Sequence, residues 1–136
     1  MSLTPLPFLL SMLLAPRDAV PDIGPKDPIV RAALTKAREE KKALLLYFFI
    51  TGYCPTCARL DTETFADPAW KEWSDRRCTL LPIYLDDDTN KAWKEFGVVQ
   101  SHTLILLRSD GRELERWVGF YDADTLSWLI DWDLSH

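Results

Sequence analysis

Hydrophobic residues along this chain concentrate in short continuous runs that have the length of buried strands. Three such runs cover residues 44–50, 78–85 and 103–107. Residues 44–50 are apolar at every position, which is typical of a central strand covered on both faces. A fourth strand is predicted at residues 113–118, because it follows an Asp-Gly turn of the kind that closes hairpins.

Between these runs, the apolar positions recur at helical spacing and follow recognisable helix starts. Asp27-Pro28 and Asp67-Pro68 each place a capping residue before a proline at the first helical position. The remaining helices are predicted from the apolar spacing and the flanking turn residues. The predicted helices run from Pro28 to about Lys42, from the residues after Cys54 through Leu60, onward from Pro68, from Thr89 to Phe96, and from Asp122 to Trp132.

The order of these elements predicts an α/β fold. Strand–helix–strand units favour parallel neighbours, and the hairpin adds antiparallel ones. We therefore expect a central mixed sheet of about four strands, flanked by helices on both faces. In such sheets, ligand chemistry collects where parallel strands end. We divide the chain into a leading segment, residues 1–27, and one domain, residues 28–136.

The leading segment has two interpretations that the sequence leaves equally open. Residues 3–15 are apolar, as in the core of a secretory signal, but no Lys or Arg precedes them and they contain two prolines. An apolar arm that packs on the domain is the alternative. Residues 16–27 hold three prolines and a glycine, which indicates an extended linker.

Composition and charge exclude several classes of function. The 136 residues can bury a core without disulfide staples, so the three cysteines are not a structural framework. The net charge is −5 and the basic residues are scattered, which argues against a nucleic-acid surface. No run reaches the roughly 20 apolar residues needed to cross a bilayer, so we expect no stable membrane insertion.

Two cysteines spaced for reversible disulfide chemistry follow the first predicted strand. Cys54 and Cys57 flank two residues at the point where the strand gives way to a helix. A helix N-terminus stabilises a thiolate through unpaired N–H groups and the helix dipole, and the thiolate is the nucleophile in disulfide exchange. Cys57, one turn later, can then attack the mixed disulfide. Pro55 fits the first helical position, where its missing N–H has no effect.

Two other interpretations of this pair remain. It could be a pair of buried cysteines, or half of a zinc site. A zinc site of the common type needs a second pair of ligands, and the rest of the chain offers only Cys78, His102 and His136. We therefore favour redox chemistry.

Three stretches of the chain together resemble the thioredoxin-like superfamily. They are Tyr53–Cys57, Thr62–Pro68 and Val118–Ala123. Within the superfamily, the chain is most similar to the C-terminal thioredoxin-like domain of the bacterial thiol:disulfide interchange protein DsbD and its relatives. The resemblance spans roughly residues 28–133 and implies the thioredoxin-like fold.

The resemblance also implies an activity. Cys54 would be the attacking thiol and Cys57 the resolving one of a thiol–disulfide oxidoreductase that reduces protein disulfides. It would need neither an organic cofactor nor a metal, and its partners would be disulfide-bearing proteins and a redox partner protein. We expect a monomer in the bacterial periplasm, with a cytoplasmic location as the alternative.

Several further residues take site roles by this resemblance. Tyr53 would line the substrate groove beside Cys54, and Asp61 would tune a thiol pKa or relay a proton unless it is only a solvated helix residue. The residues assigned to substrate binding or pKa tuning are Tyr53, Pro55, Thr56, Asp61, Ser101, His102 and Thr103.

The chain departs from the family pattern at two positions. Phe48 stands where relatives carry a buried aspartate that assists the resolving thiol, so any proton acceptor must lie elsewhere. His102 stands where relatives carry a cis-proline facing the cysteines. Because a cis bond before a residue other than proline costs about 2.5–4 kcal/mol, we expect a trans peptide before His102.

His102 opens a rival function. An imidazole beside two thiolates is a soft ligand set suited to copper, zinc or an iron–sulfur unit, so Cys54, Cys57 and His102 could form a metal-binding module. Alternatively, a protonated His102 would lower the pKa of Cys54, or the histidine has no chemical role. A third possibility for the whole chain is a redox-silent interaction domain that lacks both the aspartate and the proline.

Overall fold

The computed structural model of the protein describes residues 24–85 and 91–136. Most of the leading segment and the start of the helix predicted at Thr89 lie outside these residues. In chain order, the helices are α1 (Pro28–Glu39), α2 (Pro55–Arg59), α3 (Pro68–Arg77), α4 (Ala92–Glu95) and α5 (Ala123–Ser135), and a π-helical stretch, Leu60–Thr64, continues α2. No helix in the described part of the chain is long and apolar enough to cross a membrane.

Both Asp-Pro helix starts are confirmed. The Asp27 carboxylate accepts the backbone N–H groups of Ile29 and Val30, both at 3.0 Å, at the start of α1. The Asp67 carboxylate accepts the N–H of Ala69 at 2.8 Å at the start of α3. Each carboxylate satisfies donors that have no partner within the helix, and the proline fills a position where no donor is needed.

Two helix ends differ from the prediction, since α1 stops at Glu39 rather than at about Lys42 and α5 continues to Ser135 rather than Trp132. Lys41 takes a positive φ of 60°. The N–H of Lys42 then donates to the carbonyl of Ala37 at 2.8 Å, and that of Lys41 to Arg38 at 3.1 Å. This is a Schellman closure, which usually carries glycine at the left-handed residue. A lysine in that place gives no sequence signal, which explains the error.

The sheet contains the four strands that the sequence predicts. They are β1 (Ala43–Phe49), β2 (Cys78–Tyr84), β3 (Thr103–Leu107) and β4 (Glu113–Trp117). Their order is β2-β1-β3-β4, with β1 and β2 parallel and the other two pairs antiparallel. The α/β fold with a mixed four-stranded sheet is therefore confirmed.

Both faces of the sheet are covered, and β1 supplies alternate residues to each. Leu44, Leu46 and Phe48 pack with α1 in one apolar cluster. Leu45 and Tyr47 pack with α5 in the other. Side chains of a strand point to opposite faces in turn, so a central strand covered on both sides must be apolar throughout. This is why residues 44–50 form an unbroken hydrophobic run.

The register of the sheet brings two distant segments to the same edge. Phe48 of β1 pairs with Thr103, the first residue of β3, because these two strands are antiparallel. The end of β1 and the start of β3 therefore meet. As a result, the loop that enters β3 lies beside the segment that leaves β1, where the cysteine pair begins α2. β4 ends at the same edge, since Trp117 pairs with Leu104.

Candidate active site

Cys54 occupies the cap position of α2. Its sulfur accepts the backbone N–H of Cys57 at 3.2 Å, and Pro55 is the first helical residue. This is the arrangement that the sequence predicts. A sulfur that receives a helix N-terminal N–H is stabilised more strongly as a thiolate than as a thiol, because hydrogen bonds to an ionised acceptor are stronger.

Cys54 and Cys57 form a disulfide, with an S–S distance of 2.05 Å and a Cα–Cα distance of 5.3 Å. The two sulfurs differ in access. Cys54 is half-buried, whereas Cys57 has only 3% of its surface exposed. A thiol of another protein can therefore reach the Cys54 side of the bond, and the Cys57 sulfur is shielded from it. Such an asymmetry is what a pair with one attacking and one resolving thiol requires.

The peptide between Ser101 and His102 is cis, so the expectation of a trans bond was wrong. That expectation rested on the preference of an isolated peptide, which tertiary contacts can override. His102 is 4% exposed. Its Nε2 lies 2.8 Å from the carbonyl oxygen of Gly119 and 3.0 Å from the Gly119 nitrogen. Burial and these backbone contacts fix the ring in this position.

The Ser101 hydroxyl lies between the two sulfurs. Its Oγ is 3.5 Å from the Cys54 Sγ and 3.6 Å from the Cys57 Sγ. One hydroxyl proton can serve only one acceptor at a time. After reduction of the disulfide, the hydroxyl can therefore donate to whichever sulfur is ionised.

Four of the sequence-assigned residues lie beside the pair or in the loop facing it, without a hydrogen bond from their side chains to either sulfur in the part of the chain that the structure describes. Tyr53 is 92% exposed beside Cys54, where it is free to contact another protein. Thr103 is buried and donates its hydroxyl to the Gln100 carbonyl at 2.9 Å, which is a bond within its own loop. Pro55 is exposed and Thr56 half-buried in the first turn of α2.

Tyr47 is a contact of the site that sequence reasoning missed. It is 1% exposed and its hydroxyl donates to the Cys57 carbonyl at 3.2 Å. Burial raises the pKa of Tyr47, and the charge of Asp61 and a hydrogen bond to it raise the pKa further. A tyrosine within an otherwise apolar strand was the available signal, because a buried hydroxyl needs a partner. Asp61 is therefore linked to the site by its hydrogen bond with Tyr47, while its own side chain is exposed.

Phe48 supplies no proton acceptor. It is fully buried, and its ring lies 6.1 Å from that of Phe96 in the apolar cluster beneath α1. In the described part of the chain, the polar side chains that approach the sulfurs are those of Ser101 and His102. A ring nitrogen of His102 and the sulfurs of Cys54 and Cys57 all lie within 4.8 Å of one another, so these three residues are also the candidate metal ligands.

Known proteins share this fold and the family to which it belongs. A family model described as a thioredoxin-like domain matches residues 30–132. No curated protein is significantly similar in sequence. Among solved structures, Trxlp from Edwardsiella tarda is 31% identical, with 73% of this chain and 91% of that chain covered and a TM-score of 0.55. The oxidised C-terminal domain of DsbD from Neisseria meningitidis is 23% identical, covers 77% of this chain and 93% of its own, and has a TM-score of 0.61.

A third structure is thioredoxin-2, described as a component of the malaria parasite protein secretion machinery. It is 28% identical, with 66% of this chain and 82% of that chain covered and a TM-score of 0.56. At 23% identity, the likeness to the DsbD domain is one of fold. The sequence-based resemblance to thioredoxin-like proteins is confirmed by the family match over most of the chain.

Proposed function

The chain belongs to the thioredoxin-like domain family, and on that premise we propose that it is a thiol–disulfide oxidoreductase acting on disulfides of other proteins. The observation that carries the proposal is the Cys54–Cys57 disulfide at the start of α2. Its half-buried outer sulfur and shielded inner sulfur correspond to an attacking and a resolving thiol.

The exchange proceeds in two steps when the protein is reduced. The Cys54 thiolate attacks a client disulfide, which forms a mixed disulfide and releases one client sulfur as a thiolate. Cys57 then gives up its proton and attacks the Cys54 sulfur, which releases the second client sulfur and forms the bond present in the structure. Two electrons pass to the client, and the two protons of the protein dithiol end on the client thiols.

Each neighbouring group acts on one of these steps. The Cys57 N–H and the Ser101 hydroxyl donate to the Cys54 sulfur and stabilise it both as attacking thiolate and as leaving group. Exposed Tyr53 contacts the client beside the reacting sulfur. The direction we propose is reduction of client disulfides, with a second redox protein restoring the dithiol.

Insulin reduction tests the proposal. We expect wild-type protein, supplied with dithiothreitol, to accelerate the precipitation of insulin chains, and C54S to lose the acceleration. C57S should form the mixed disulfide but not resolve it, so mass spectrometry should detect protein linked covalently to a client chain. C78A is the matched control, because Cys78 is a free, buried thiol and its removal should leave the rate unchanged. Insulin reduction by C54S at the wild-type rate would refute the assignment.

We also propose a setting for this activity. The domain comprises residues 28–136, preceded by residues 1–27, and acts as a monomer in the bacterial periplasm. The similarity of fold to the DsbD C-terminal domain supports this location. Fusion of residues 1–27 to a reporter enzyme that is active only after export tests the location, and light scattering coupled to gel filtration tests the monomer. A full-length fusion that is expressed but shows no reporter activity would favour the alternative, cytoplasmic location.

A further inference from the structure

The loop entering β3 places the imidazole of His102 beside the cysteine pair. Disulfide exchange needs only the two sulfurs and their hydrogen-bond donors, so it leaves this imidazole without a role. His102 is more than nine-tenths buried, and its Nδ1 is a buried side-chain nitrogen without a hydrogen-bond partner among the described residues. A buried polar atom left without a partner is rare and calls for an explanation. The nearest explanation lies in the three ligand atoms that converge at this point.

We propose that the reduced protein binds one thiophilic cation, such as Zn²⁺, through the sulfurs of Cys54 and Cys57 and the Nδ1 of His102. This site is additional to the proposed exchange function and requires only that the disulfide can be reduced. Reduction by a dithiol transfers two electrons to the Cys54–Cys57 bond and oxidises the reductant to its disulfide. Binding of Zn²⁺ then releases the two thiol protons to solvent.

The distances fit this ligand set. Zinc bonds of about 2.3 Å to sulfur and about 2.0 Å to nitrogen, at tetrahedral angles, separate ligand atoms by roughly 3.6–3.8 Å. In the structure a ring nitrogen of His102 and the two sulfurs all lie within 4.8 Å of one another while the sulfurs are still bonded to each other. Reduction removes that bond and lets the sulfurs separate to the zinc-binding distance.

The surroundings of His102 fit the role of a metal ligand. Histidines that bind metals usually donate their second ring N–H to a carbonyl or carboxylate, which fixes the tautomer. The Nε2 of His102 lies 2.8 Å from the Gly119 carbonyl oxygen. When Nε2 carries the proton and donates to that oxygen, the lone pair resides on Nδ1 and is free for the metal. The opposite tautomer, in which Nε2 accepts the Gly119 N–H, would make Nδ1 a donor.

Three protein ligands leave the fourth tetrahedral position to solvent. Cys54 is half-buried, so that position opens on the side from which a client approaches. Metal and client therefore compete for the same sulfurs. Oxidation of the pair to the disulfide removes both thiolates and must release the cation.

Competition with a chromophoric zinc chelator tests the site on the full chain. We expect one Zn²⁺ per chain after reduction with a phosphine and removal of air, and none for the oxidised protein. Loss of an outer-sphere partner alone commonly lowers metal affinity by about 10–100-fold, so H102A should lower it by at least about 100-fold. H136A is the matched control, since the chain has two histidines and His136 lies exposed at the C-terminus. Its affinity should equal that of wild type.

X-ray absorption at the zinc edge of the loaded wild-type protein decides the ligand set even if H102A fails to fold. We expect two sulfur ligands and one imidazole. Zinc bound by the two sulfurs without imidazole, unchanged affinity in H102A, or no zinc bound by the reduced chain would each overturn the proposal. Insulin reduction is measured on metal-free protein, so an active protein without zinc affinity overturns the metal site alone. A protein that binds zinc but leaves insulin intact overturns the exchange function alone.

Discussion

The hydroxyl of Ser101 should set the reduction potential of the cysteine pair. In the oxidised protein, its 3.5 Å contact with the Cys54 sulfur joins two neutral groups. After reduction the same hydroxyl faces a thiolate, and hydrogen bonds to charged groups contribute about 1.5–3 kcal/mol. The hydroxyl is shared with the Cys57 sulfur at 3.6 Å, so we take the lower end of this range. S101A therefore loses stabilisation mainly in the reduced state.

The expected shift follows from the two-electron couple. For such a couple about 1.4 kcal/mol corresponds to 30 mV, so the potential of S101A should be more negative than that of wild type by roughly 30 mV. The sign is negative because the variant destabilises the reduced form and makes the disulfide harder to reduce. S101T retains a hydroxyl and should stay close to the wild-type potential.

Equilibration in glutathione buffers measures this shift. Acid quenching, labelling with a heavy maleimide and gel electrophoresis give the reduced fraction at each ratio of glutathione to its disulfide. S135A is the remote control, because Ser135 is exposed at the end of α5 and donates to the Asp131 carbonyl. An unchanged potential in S101A, or a shift to a less negative value, would refute the reasoning.

Three further predictions concern the supports of the site. Y47F removes the hydroxyl that donates to the Cys57 carbonyl, although this carbonyl still accepts the helical N–H of Leu60. Urea unfolding should therefore show that the free energy of unfolding falls by about 1 kcal/mol. An unchanged free energy of unfolding would mean that the hydroxyl contributes nothing. Burial raises the pKa of Cys78 to about 12, so its thiol stays protonated near pH 9, and iodoacetamide should modify it only after unfolding, as mass spectrometry can show. Labelling in the folded state at the rate of a free thiol would contradict this. G119A places a side chain at a backbone φ of 122°, and the nearest atom that its Cβ would meet, on Tyr121, is 4.0 Å away. Backbone strain rather than a clash should therefore lower the free energy of unfolding by about 1–3 kcal/mol, as thermal unfolding can measure. A stability equal to that of wild type would contradict this.

The fold was predictable because its signals are local. Asp27-Pro28 and Asp67-Pro68 specify helix starts through their own side chains, and the continuous apolar run of β1 reflects burial on both faces. The end of α1 was not predictable in this way. Lys41 adopts a left-handed conformation that glycine normally signals, so the sequence pattern continued past the true end of the helix.

The residues by themselves predicted only the part of the site that is contiguous in sequence, and the family resemblance added Ser101 and His102. Cys54 and Cys57 are three residues apart, and their spacing alone indicated the disulfide. The contact of His102 with Gly119 spans 17 residues, and that of Tyr47 with Cys57 spans 10. The first depends on the pairing of β3 with β4, and the second on how α2 lies against the end of β1. The cis peptide before His102 lies in the same part of the site, and the preference of an isolated peptide did not predict it.

Substitution of a histidine for the family's proline changes the electrostatic character of the site as well as its shape. A proline at the entry to β3 would present only carbon atoms to the sulfurs, whereas His102 presents a nitrogen within 4.8 Å of them. That nitrogen interacts only weakly with a disulfide, which carries no charge. It interacts strongly with thiolates, whether through a shared cation or, in the other tautomer, through an N–H donor. In either case the imidazole acts on the reduced protein and leaves the oxidised one nearly unaffected. Ser101 does the same from the adjacent position, so the loop as a whole discriminates between the two redox states of the pair.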